Sequence, residues 1–68
     1  MKLLIHKEKA AYEKFVKMPV VDAVRAAGYD ILVVKENDNV GYYGTDYLFY
    51  YVEFDNDVDA LAFKLRYL

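Results

Sequence analysis

Asp46-Tyr47-Leu48-Phe49-Tyr50-Tyr51-Val52-Glu53-Phe54 is the stretch whose reading decides the fold. Seven of its nine side chains are aromatic, β-branched or leucine, the types that fit a pleated, half-buried surface, so the run predicts a β-strand. Neighbouring residues of a strand point to opposite faces, so Leu48, Tyr50, Val52 and Phe54 share one face and Tyr47, Phe49, Tyr51 and Glu53 the other. A sheet with one wet side alternates apolar with polar. Here both sides are apolar, so the second face needs a cover: more of this chain, another copy of it, or a partner.

Outward from that strand, Asp55-Asn56-Asp57-Val58-Asp59 offers a cap and an acidic first turn for a C-terminal helix. Lys64 and Arg66 suit its other end. Val58, Leu61, Ala62, Leu65 and Leu68 fall on one stripe and Ala60, Phe63 and Tyr67 on a second. One stripe suffices to dock on a sheet. The first is expected to do so, leaving Phe63 and Tyr67 for a second contact.

On the other side, the Glu36-Asn37-Asp38-Asn39 cluster reads as a turn, and Val40-Gly41-Tyr42-Tyr43-Gly44-Thr45 either starts the next strand with a bulge at a glycine or forms a long hairpin tip. Before it, Tyr29 to Glu36 alternates with period two, and the run Ile31 to Val34 predicts a central or doubly covered strand, antiparallel to the aromatic one. Pro19 suits the first position of a helix containing Val20, Val21, Val24 and Ala27, which ends at Gly28. Glu8 to Lys17 is expected to be an earlier helix with Tyr12, Phe15 and Val16 inward, and Lys2 to His6 a short strand or a first helical turn. The order is (β)ααββα: a small two-layer α+β domain with an antiparallel sheet of two or three strands and helices on one face. Sixty-eight residues make one domain, 1–68, near the lower size at which a chain folds alone.

Composition narrows the function. Without cysteine there is neither a disulfide framework nor a thiolate metal site, and no cofactor or metal is expected. Serine is absent too, Thr45 sits in a loop, and His6 lacks an orienting partner in sequence, so no enzyme is expected. Asp55, Asp57 and Asp59 imitate the start of a calcium loop, but Ala60 stands where its glycine belongs and Arg66 where its bidentate glutamate belongs. Gly41 to Gly44 has the spacing of an RNA-clamping loop, with tyrosines where cations would hold phosphate. The first apolar run, Leu3 to Ile5, is far too short for a signal sequence or membrane span, so a cytoplasmic protein is expected.

Charge is uneven. Up to Lys35 the chain has seven lysines and arginines against four acidic residues, and beyond it two against seven. An aromatic sheet face is what base stacking requires, yet Asp46, Glu53 and Asp55 flank it, which disfavours nucleic acid. Contact with protein is the stronger expectation, through Tyr42, Tyr43, Tyr47, Phe49, Tyr51, Phe63 and Tyr67, with an acidic edge of Asp46, Glu53, Asp55, Asp57 and Asp59 steering towards a basic surface. A homodimer that buries one of these patches is the companion expectation.

Val52-Glu53-Phe54-Asp55-Asn56-Asp57-Val58-Asp59-Ala60-Leu61-Ala62-Phe63-Lys64-Leu65-Arg66-Tyr67 resembles the ending of many small uncharacterised proteins of tailed bacteriophages. There a strand ending in Phe-Asp or Phe-Glu leads through acidic residues to Asp-Ala, Phe-Lys-Leu-Arg and an aromatic residue. The resemblance implies a small phage protein, made in a bacterial cytoplasm, that binds a host protein and inhibits or redirects it.

Overall fold

The computed structural model describes residues 1–10 and 18–68. Strand β1 (Lys2–Lys9) is followed by helix α1 (Pro19–Ala26), strands β2 (Leu32–Asn37) and β3 (Asp46–Glu53), and helix α2 (Asp57–Tyr67). The strands form one antiparallel sheet in the order β1-β3-β2, so the domain is a small α+β unit whose spine is the aromatic strand. Hydrogen bonds between Met1 and Phe54 and from Ala10 N–H to Asp46 C=O extend the β1–β3 ladder at both ends.

β1 carries an irregularity that decides its faces. Leu4 pairs with Tyr51 and His6 with Tyr50, so Ile5 is the extra residue of a bulge. Leu3 and Ile5 face the core before it, and His6 and Glu8 lie on the core side after it, opposite Tyr50 and Leu48. Leu4, Lys7 and Lys9 are left on the outer face with Tyr51, Phe49 and Tyr47. The helix expected from Glu8 to Lys17 is corrected here: Glu8 and Lys9 are strand, held by the β3 ladder, and 11–17 lie outside the described residues.

α1 opens on Pro19, and the Met18 carbonyl accepts the Asp22 N–H at 2.9 Å. It closes as a Schellman motif: Gly28, at φ 94°, donates to Arg25, and Tyr29 donates to Val24. Because Tyr29 belongs to this cap, the strand expected from Tyr29 begins only at Leu32. Tyr29 instead packs against Phe54, Phe63 and Tyr67, with ring centroids 5.1 to 6.2 Å apart. β2 is an edge strand with Leu32 and Val33 exposed, not the central strand its apolar run suggests.

The core lies between the helices and one face of the sheet. Val21 and Val24 of α1 and Phe63 of α2 meet Leu3, Ile5, Tyr50 and Val52, with Leu48 and Phe54 at the margin. In α2 the two stripes exchange their expected roles. Ala60 and Phe63 are buried and Tyr67 is half-buried, whereas Val58, Leu61, Leu65 and Leu68 are exposed. The aromatic stripe wins because Phe63 finds Tyr29, Phe54 and Tyr67 within 5.1 Å, and ring–ring contacts add to the area it buries.

Candidate functional site

The outer face of the sheet is an apolar surface that no described helix covers. Strand register sets it in rows: Leu4, Tyr51 and Leu32; then Lys7, Phe49 and Val34; then Lys9, Tyr47 and Glu36. Tyr47, Phe49 and Tyr51 are each half-buried by their neighbours. Phe49 and Tyr51 lie nearly parallel, 17° apart with centroids at 6.4 Å. The Lys7 ammonium sits 4.9 Å from the Tyr47 ring centroid and 5.3 Å from that of Phe49, a cation–π position shared between two rings. Sequence reading placed the three aromatics together but missed these lysines, because the bulge at Ile5 changes which β1 residues face outward.

Tyr42 and Tyr43 stand at the tip of the β2–β3 connection, 92% and 86% exposed, and their rings meet edge to face at 4.7 Å. The loop beneath them is tightly held. The Asp38 carboxylate accepts N–H bonds from Val40 (3.0 Å) and Thr45 (2.7 Å), and these hold its pKa below the ordinary aspartate value. The Asn37 amide donates to the Tyr43 carbonyl and to Asp46, and its oxygen accepts from Asn39 N–H. Gly44 has φ 67°, and the Asn37 side chain fills the space where a Cβ would stand. A backbone fixed in this way presents two tyrosines with little ordering left to lose on binding.

Two expected groups are rearranged. Phe63 (3% exposed) is part of the core and not free for a partner, and Tyr67 packs half-buried against it. The acidic residues do not form one edge. Asp46 starts β3, 3.5 Å from Lys35 and hydrogen-bonded to Asn37. Glu53 ends the same strand, roughly 23 Å away at about 3.3 Å per residue. Asp55, Asp57 and Asp59 lie beyond it, with Asp57 and Asp59 in the first turn of α2, where Asn56 caps the helix by accepting Asp59 N–H at 2.9 Å.

One polar cluster was not legible in sequence. Beneath β1, Tyr50 OH donates to Glu8 Oε1 at 2.7 Å, and His6 Nε2 lies 3.7 Å from Glu8 Oε2. Burial first, then the hydrogen bond and charge of Glu8, raise the Tyr50 pKa, with Arg25 opposing. Among the described residues no set of three potential metal ligands converges, and no helix is long and apolar enough to cross a membrane. The chain matches no protein-family model, and no curated protein or solved structure is significantly similar to it.

Proposed function

We propose that this chain is a non-enzymatic binding protein of the phage type, which attaches to a bacterial host protein in the cytoplasm and inhibits or redirects it. The observation that carries the reading is the outer sheet face, where Leu4, Leu32, Val34, Tyr47, Phe49 and Tyr51 form an apolar surface that no described helix covers, bordered by Lys7, whose ammonium lies against the Tyr47 and Phe49 rings. An apolar patch of this kind on a small chain marks an interface, and tyrosines suit one because they combine large contact area with a hydroxyl and few rotatable bonds. Tyr42 and Tyr43 stand exposed at the tip of the β2–β3 connection, at one end of the sheet.

A second reading, binding of single-stranded nucleic acid, is favoured by one specific observation. The register of β1 brings Lys7 and Lys9 to the outer face beside Phe49 and Tyr47, so the aromatic row has cations along one border. Glu36 and Glu53 on the same face oppose it. Salt separates the two readings. Labelled single-stranded oligonucleotides should bind weakly if at all, and any such binding should fall steeply between low and high salt. Capture of a host protein through the apolar face should persist at high salt, and tight, salt-sensitive oligonucleotide binding without such capture would establish the second reading instead.

A further inference from the structure

The bulge at Ile5 decides which charges border the outer sheet face. Up to Leu4, β1 follows one register with β3, and from His6 to Lys9 it follows another, displaced by one residue. A strand that kept the first register throughout would pair Ile5 with Tyr50, Lys7 with Leu48 and Lys9 with Asp46. Because side chains alternate, a one-residue slip exchanges the faces of every residue past it. His6 and Glu8 would then lie on the outer face opposite Phe49 and Tyr47, and Lys7 and Lys9 would turn to the core side.

This unbulged register is a close competitor. It restores an uninterrupted ladder, keeps Leu3 and Ile5 on the core side, and sets Lys9 opposite Asp46, whose carboxylate already lies 3.5 Å from Lys35. β1 is an edge strand, so the stem of Lys7 can carry its ammonium past the margin to water. Against it stand contacts made only with the bulge. The Tyr50 hydroxyl donates to Glu8 Oε1 at 2.7 Å, His6 Nε2 faces Glu8 Oε2 at 3.7 Å, and the Lys7 ammonium lies over the Tyr47 and Phe49 rings. His6 Nε2 and Glu8 Oε2 are both buried with no hydrogen-bond partner among the described residues, so each has only the other to face.

We infer that Glu8, with His6 and Tyr50, is a register clamp: it holds the bulge, and its release lets β1 beyond Ile5 slip by one residue. The slip replaces the two lysines beside the aromatic row with a histidine and a glutamate, the glutamate in the row that already ends in Glu36. From beneath the sheet the clamp thus sets the sign of the charge beside Tyr47 and Phe49, the re-aiming of side chains for which bulges serve. The inference concerns strand register alone and holds whatever the outer face binds.

The test reads the register from α-proton contacts between strands by NMR. The Ala10 N–H bond to the Asp46 carbonyl makes Ala10–Asp46, Glu8–Leu48 and His6–Tyr50 the hydrogen-bonded pairs. Lys7–Phe49 and Lys9–Tyr47 are then the closer pairs, whose α-protons meet. The wild type should show those two contacts, with the ε-methylene protons of Lys7 shifted upfield by the rings they cover. Glu8→Ala should replace them with contacts from position 6 to Phe49 and from position 8 to Tyr47, and the upfield shift should be lost. Glu8→Gln, which keeps an acceptor for Tyr50, should retain the wild-type pattern. Lys7→Leu should retain the Phe49 contact of position 7, although it removes the cation–π contact and offers an apolar side chain to the core side. A folded Glu8→Ala with wild-type contacts overturns the inference. So does a slip in Lys7→Leu, which would make solvation of the lysine, and not Glu8, the cause of the register. That second result decides the question if Glu8→Ala does not fold.

Discussion

The Tyr50 hydroxyl donates a 2.7 Å hydrogen bond to the Glu8 carboxylate, tying the central strand to an edge strand 42 residues away in sequence. The bond runs beneath the sheet, beside His6, whose ring lies 5.5 Å from that of Tyr50. A hydrogen bond to a charged group in partly buried surroundings is worth about 1.5–3 kcal/mol. Tyr50→Phe keeps the ring in the core and removes only this bond, so it should destabilise the domain by about 1–3 kcal/mol in urea unfolding. A loss below a few tenths would show that water replaces Tyr50 on Glu8 without cost.

The same bond sets an alkaline limit. Burial and Glu8 raise the Tyr50 pKa above 10.0, so the hydroxyl stays neutral in the fold where the unfolded chain would ionise. Its contribution is complete below pH 10.0 and is lost as pH climbs from there through the higher folded value. Stability measured by denaturant titration should therefore fall on the alkaline side of pH 10, and Tyr50→Phe should flatten that fall.

Asp38 behaves in the opposite sense. Its pKa is lowered by N–H bonds from Val40 and Thr45, so its contribution to loop order is present above pH 3.8 and is lost as pH falls through the lower folded value. Amide resonances of Val40 and Thr45 should move together in that acid range in the wild type. In Asp38→Asn they should not titrate.

Gly44 is expected to tolerate no side chain. Its positive φ and the Asn37 amide beside it make Gly44→Ala destabilising by about 1 kcal/mol or more, with Tyr42 and Tyr43 displaced. Gly41, also at positive φ but with nothing near its missing Cβ, should show the smaller strain alone.

The two aromatic sets of the chain should separate cleanly on substitution. Phe63→Ala removes a ring packed on Tyr29, Phe54 and Tyr67, so a loss of about 3–5 kcal/mol is expected, enough to unfold a domain of this size. Phe49→Ser/Tyr51→Ser alters the outer face and should cost far less while abolishing partner capture.

Much of the fold follows from period and punctuation. The face assignments of β3, the Pro19 start and Gly28 end of α1, and a cap for α2 at Asp55 or Asn56 can each be read from a few residues with a mechanism behind them; the structure gives the cap to Asn56. What escaped reading has three physical causes. The bulge at Ile5 breaks the two-residue period, so β1 looks partly helical and the lysines of the outer face stay hidden. Tyr29 serves the cap of α1 before it can serve a strand. Of two apolar stripes on α2, sequence counts residues, whereas packing rewards the one with aromatic neighbours, and so Phe63 rather than Leu65 turns inward. The Glu8–Tyr50 bond joins positions 42 apart and has no local signal at all.

The central claim is that the outer sheet face binds a host protein. Its most direct test is paired affinity capture from bacterial lysate at high salt, with immobilised wild type and immobilised Phe49→Ser/Tyr51→Ser, both checked for folding by circular dichroism. The account predicts a defined protein retained by the wild type and lost from the variant. Equal retention by a folded variant, or no protein retained by either, would contradict it.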